Sequence, residues 1–244
     1  MRLPPRIVGD LLTVARWLDE LETTTTTTTP KDETMPMHFD QLQKLAELTT
    51  TAADSTIVAA FRDAAADCSP AWAKAFHHVA DVISGNKSPR SVFILKGNSK
   101  LPFAAFSTLP GVTCPGAGEC LEWCYSFKAW RYPDAFARQC QNTWLVAKRP
   151  DLIAQAFNRL PNDITLRLYV DGDFDSAQTF KFWMRLLENR PDISAYGYSK
   201  SLDIVADNAE HVPQNYTLNL SSGSKWDGSK IARELTAEQF VRGR

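Results

Sequence analysis

Ile164-Thr-Leu-Arg-Leu-Tyr-Val170, running into Asp171-Gly-Asp-Phe-Asp-Ser176, decides how the chain is read. The first half is rich in strand-forming residues, and the second is a turn crowded with carboxylates. The alternation then repeats. A helix is expected over 177–189, capped by Asp175 or Ser176, then a strand over 193–198, a helix over 202–210 and a strand over 216–220. Strands alternating with helices make βαβ units, hence an α/β fold with parallel strands. Right-handed crossovers bring the strand C-terminal ends to one edge, and ligands of such sheets bind beyond that edge.

Working toward the N-terminus, helices are expected over 133–147 and 151–160, and short apolar strands over 91–95 and 101–109. Three helices precede them, over 39–48, 55–66 and 70–83. The last has Ser69 at the N-cap, Pro70 at the first helical position and Gly85 at its stop. Residues 7–21 carry apolar side chains at helical spacing, and the seven threonines of 23–29 open a linker. Three parts follow: a helix and Thr-rich linker at 1–34, a helical region at 35–90 and an α/β domain at 91–244.

The chain has 244 residues, 44% hydrophobic and 23% charged, which suits a core that needs no disulfide staples. A formal net charge of -1 advertises no general affinity for nucleic acid. No apolar run reaches membrane-spanning length, and the N-terminus lacks the features of a secretory signal. A cytoplasmic address with reduced thiols is the expectation, and five cysteines is an odd count for a disulfide framework.

Cys114, Cys120 and Cys124 fall within eleven residues, spaced Cys-x5-Cys-x3-Cys, with Gly111, Gly116 and Gly118 beside them. Three soft thiolates on one loop suit an iron–sulfur cluster or zinc. Zinc knuckles show closer pairs, and His77, His78 and His211 are remote in sequence, which favours iron–sulfur. Cys140 reads either as the fourth ligand of a [4Fe–4S] cluster or as a small core residue. If it does not ligate, one iron is open to a small molecule. Cys68 reads as a core or capping residue.

Asp171, Asp173 and Asp175, then Ser199-Lys-Ser201, then Ser221, Ser222, Ser224 and Lys225 follow three successive strands, so they converge at one mouth of the sheet. They read as a polar pocket facing the cluster or as ordinary helix caps. The spacing of the aspartates lacks the remaining ligands of a calcium loop. Lys128, Trp130 and Arg131 lie in a stretch of alternating basic and aromatic residues. It is read first as a partly buried helix start beside the cluster, and second as a surface that stacks on bases. Trp123 and Tyr125 are expected to shield the cluster from water. No P-loop, nucleophile elbow or dinucleotide fingerprint is present.

Lys100-Leu-Pro-Phe103, Leu109-Pro-Gly-Val-Thr-Cys-Pro-Gly116, Cys120, Cys124-Tyr125, Arg131-Tyr-Pro133, Val170-Asp-Gly-Asp-Phe174 and Tyr196-Gly-Tyr-Ser-Lys200 together resemble the bacteriophage gene-product-88-like family, over about 91–224. That pattern is similar in turn to a radical-SAM-type partial (β/α) barrel carrying a cluster on a loop. The resemblance implies cluster ligation by Cys114, Cys120 and Cys124, and places Asp171, Asp173 and Lys200 at the open end as cofactor-binding residues. S-adenosylmethionine is the implied cofactor beside the [4Fe–4S] cluster. Two departures stand out: radical-SAM loops use Cys-x3-Cys-x2-Cys, and no Gly-Gly-Glu-type motif is found.

The expected molecule is a phage-type iron–sulfur protein of the host cytoplasm, a partial (β/α) barrel preceded by a helical region, able to bind a small-molecule ligand. The rivals are a zinc module for nucleic acid or a host protein, and a non-catalytic electron carrier or redox sensor.

Overall fold

The computed structural model describes residues 37–96 and 103–237, which lie within one unit spanning Met35–Arg244. The helix and linker expected before residue 35 lie outside the described residues, as does the start of the strand expected over 101–109.

Helices α1 (Phe39–Thr51), α2 (Asp54–Ala66) and α3 (Pro70–Ile83) form as the apolar spacing predicts. Pro70 opens α3, whose N-cap Ser69 contributes its carbonyl, not its hydroxyl. Gly85 ends it with φ +75°, the left-handed conformation that glycine adopts without penalty. Trp72 and Phe76 of α3 pack edge-on against Phe136 of the next helix, α4 (Pro133–Lys148). The helical region is thus joined to the rest of the fold by buried aromatic contact. Helix α5 (Pro150–Asn158) follows directly.

The sheet has four parallel strands in sequential order: β1 (Ala104–Ala105), β2 (Thr165–Leu168), β3 (Ser194–Ser199) and β4 (Tyr216–Leu220). Helix α6 (Ala177–Glu188) links β2 to β3, and α7 (Leu202–Ala206) links β3 to β4. Ser176 caps α6 as expected, its hydroxyl oxygen accepting from Thr179 N at 3.1 Å. The architecture is α/β with a parallel sheet.

Several expected elements came out differently. Residues 91–95 make only one antiparallel bridge, Ile94 to Ala105, and no strand. The polar groups a strand would use are met by α4: Gln141 bonds both the N–H and the carbonyl of Arg90, and Asn142 donates to the Val92 carbonyl. The helix expected over 202–210 breaks after Ala206, where the buried Asn208 amide donates to the Ile204 carbonyl and a short 3-10 turn, Ala209–His211, follows. Helix α8 (Lys230–Ala237) was not anticipated.

One sheet face carries Leu166, Leu168, Ala195, Tyr216 and Leu218, all buried. The other carries Arg167, Tyr196, Tyr198, Thr217 and Asn219, partly open. Trp183 of α6 sits at the centre of the buried side among Phe93, Phe106, Phe157 and Tyr169, and its N–H donates to the Tyr169 hydroxyl at 3.0 Å. No described helix is long and apolar enough to cross a membrane.

Because Trp183 is fully buried and joins α6 to α5 and to the segments flanking β1 and β2, Trp183→Ala is expected to lower stability by about 3–5 kcal/mol, read as a shift in the urea midpoint. Trp183→Phe keeps the packing, loses the hydrogen bond and should cost less.

Candidate metal centre

The cysteine loop follows β1, at one end of the strand order, and reaches the segment after β4, at the other. Its turns are closed locally: Thr113 Oγ1 donates to the Leu109 carbonyl, Cys114 N to Gly111 and Ala117 N to Cys114. It is then latched to the segment that leaves β4. Gly118 N donates to the Gly223 carbonyl, Lys225 N donates to the Gly116 carbonyl, and Ala117 bridges Ser224. The Ser224 hydroxyl sits between the carbonyls of Gly116 and Lys200, at 3.0 and 2.7 Å. Gly116 lies so close to the Lys200 carbonyl that any β-carbon there would collide with backbone.

The latch brings Cys120 and Lys200 together over Gly223: a β-carbon on that glycine would meet Cys120 Cβ at 3.1 Å and Lys200 Cε at 3.6 Å. Lys200 Nζ donates to Ser221 Oγ at 2.6 Å. Cys120 is buried, and Cys114 and Cys124 are partly so. Burial pushes the Cys114 thiol up to about 12, with Asp173 and the thiols of Cys124 and Cys120 adding repulsion. Cys114 is therefore within electrostatic reach of the other two. Among the described residues, no group of three or more His, Cys, Asp or Glu side chains is placed to hold a metal.

Cys140 stands elsewhere in the packing. It is fully buried on α4. Burial holds its thiol well above the ordinary range. Cys68 donates to the Ala65 carbonyl at the end of α2.

The carboxylates expected to face a cofactor are occupied within the protein. Asp173 is buried, its Oδ1 accepting from Phe174 N and its Oδ2 from Lys200 N, Ser201 N and Ser201 Oγ. Asp171 accepts from Gln139 Nε2 at 2.9 Å. Burial raises both carboxyls, and the donors around each partly offset it. Asp171, Asp173 and Lys200 do meet at one edge of the sheet. There Asp173 clasps the turn after β3, and Asp171 ties the β2 exit to α4.

Ser201 and Ser224 stood among the polar residues expected at the strand ends, whereas Gln139 was not singled out from sequence. The signal available was Gln139-Cys-Gln-Asn142, polar amides on the buried side of a helix, where each needs a partner. Trp130 Nε1 donates to Gln139 Oε1, extending the network to the 3-10 segment Tyr125–Arg131. Trp130 is 2% exposed and stacks on Phe39, so its ring serves the core, as in the first reading of that segment. Trp123 and Tyr125 correct an expectation: at 64% and 54% exposed, they face solvent instead of screening the thiols.

The raised carboxyls fix the sign of a pH effect. Asp171 and Asp173 hold their protons more tightly folded than unfolded, so stability falls as pH rises from the ordinary carboxyl value to the raised one. Urea midpoints should decline from about pH 4 upward until both groups ionise. Asp173→Asn should flatten part of that slope. It should also cost about 1–3 kcal/mol, because an amide cannot accept from donors on both sides.

Comparison with known proteins gives one positive finding. No curated protein and no solved structure matches the chain. The model of the family described as gene product 88 matches residues 78–242, from within α3 to beyond the described end of α8. That is wider than the stretch over which the motifs carry the resemblance, and it takes in the cysteine loop, α4 and the whole sheet. The chain belongs to the gene product 88 family.

Proposed function

We propose that Cys114, Cys120 and Cys124 hold a [4Fe–4S] cluster over the strand-exit edge of the sheet. The observation that carries this reading is the latch. Cys114 lies within electrostatic reach of Cys120 and Cys124, and all three ride on a loop whose backbone is bonded at several points to the segment after β4. A lone zinc ion needs all its ligands at about 2.3 Å from one point, whereas a four-iron cluster takes each thiolate on a different iron. The cluster, when bound, supplies one-electron chemistry.

The chain's own residues define the surroundings. Asp173 fixes the backbone of Lys200 and Ser201, and so the shelf on which the loop rests. Lys200, held by Ser221 beside Cys120, offsets the negative charge of a thiolate-bound group. Cys140 belongs to the packing of α4 on α1, which leaves the fourth iron for a small molecule. S-adenosylmethionine is the ligand the radical-SAM resemblance suggests, and the partial barrel belongs to that same resemblance.

A second reading is favoured by the exposed Trp123 and Tyr125: a cluster so near the surface suits electron exchange with a partner. Anaerobic purification with iron, sulfide and zinc analysis tests both. About four irons and four sulfides per chain, in a brown protein, are expected. Cys114→Ser, Cys120→Ser and Cys124→Ser should each lose cluster, while Cys140→Ser should keep it and respond to S-adenosylmethionine as the parent does. Loss of cluster in Cys140→Ser, with no response of the parent to S-adenosylmethionine, selects the electron carrier. A colourless protein with one zinc overturns the cluster.

A further inference from the structure

A cavity of about 250 Å³ lies on the far face of α4 from the cysteine loop, between α3, α4 and the segment at Arg90 and Ser91. Lys74 and His78 of α3, Arg90, and Asp134, Arg138 and Gln141 of α4 line it. Three fixed cations face one carboxylate. Asp134 is 3.8 Å from Arg90, an exposed and loose pairing, and it is shared electrostatically with Arg138. Arg138 Nε is buried and reaches no hydrogen-bond partner among the described residues. A guanidinium is the side chain best shaped to grip a phosphate. Burial works against its charge, Asp134 supports it, and Arg90 opposes it more weakly.

The wall is rigid. Gln141 Oε1 accepts from His78 Nε2 and from Arg90 N, while its amide donates to the Arg90 carbonyl. One side chain thereby fixes both the imidazole and the stem of Arg90. Because Gln141 presents its oxygen, the His78 proton sits on Nε2, and burial holds the ring toward its neutral form.

We propose that this cavity is a binding site for a phosphate group, gripped by Arg138 and Arg90 with Lys74 at the rim. A multidentate cationic pocket of this size suits the compact, multiply charged oxyanion of inorganic phosphate or of a phosphate monoester. The site shares no residue with the proposed cluster and does not depend on it.

Calorimetric titration of the purified full chain with inorganic phosphate, at constant ionic strength made up with chloride, tests it. Saturable binding is expected, weakened about tenfold or more by R138Q and clearly by K74Q. Lys74 is exposed, so K74Q should fold even if R138Q does not. D134N removes the only carboxylate of the lining and should tighten binding. Adenosine 5′-monophosphate separates the sources: affinity equal to that of phosphate identifies the free ion, and higher affinity identifies a phosphate monoester. No saturable phosphate binding, or binding unchanged in both R138Q and K74Q, overturns the proposal.

Discussion

The clasp made by Asp173 is the interaction on which the functional edge depends. A buried carboxylate takes hydrogen bonds from two successive backbone N–H groups, Lys200 and Ser201, and from the Ser201 hydroxyl. It thereby fixes the exit of β3 to the exit of β2. The Lys200 carbonyl, held in place by this clasp, is where the Ser224 hydroxyl and Gly116 converge. The cysteine loop is therefore seated on a surface whose shape is set by one ionisable side chain in the interior. Such a group gives geometry at the expense of stability, because burial disfavours its charge while removing any one partner would leave the rest unmet.

Helix α4 plays the complementary part. Its residues Gln139, Gln141, Asn142 and Thr143 are all buried and polar. Each serves a stretch of irregular chain: Gln139 bonds Asp171, Gln141 bonds Arg90, Asn142 takes the carbonyls of Val92 and Ser107, and Thr143 accepts from Leu109 N. The segments before and after β1 run deep without forming a long strand, and their backbone groups need partners. These side chains supply them. The same helix lends Arg138 and Gln141 to the cationic cavity and Cys140 to the core, so one element serves the thiol loop, the cavity and the helical layer.

The thiol loop combines a fixed backbone with an open exterior. Its bonds run inward to the β3 and β4 exits, and its aromatic side chains Trp123 and Tyr125 turn outward. Rigid placement suits a group that must be held at one distance from the strand ends. Outward aromatics suit contact with something beyond the chain.

Much of this was legible in the sequence because it rests on local pattern. The apolar spacing of Phe180, Trp183, Met184 and Leu187 marks α6, the β-formers of 164–170 mark β2, and the alternation of both gives a parallel sheet whatever the details of packing. The thiol spacing and the family motifs are likewise one-dimensional facts. What tertiary structure alone decided was the fate of polar groups. Whether Asp173 faces a ligand or its own backbone, whether Trp130 stacks on a base or on Phe39, and whether residues 91–95 pair as a strand all depend on which partner is in reach. Partners such as Asn142 for Val92, or Ser201 for Asp173, are 50 and 28 residues away in the chain. A hydrogen bond needs its two atoms within about 3 Å, and no local pattern carries that information across such a separation.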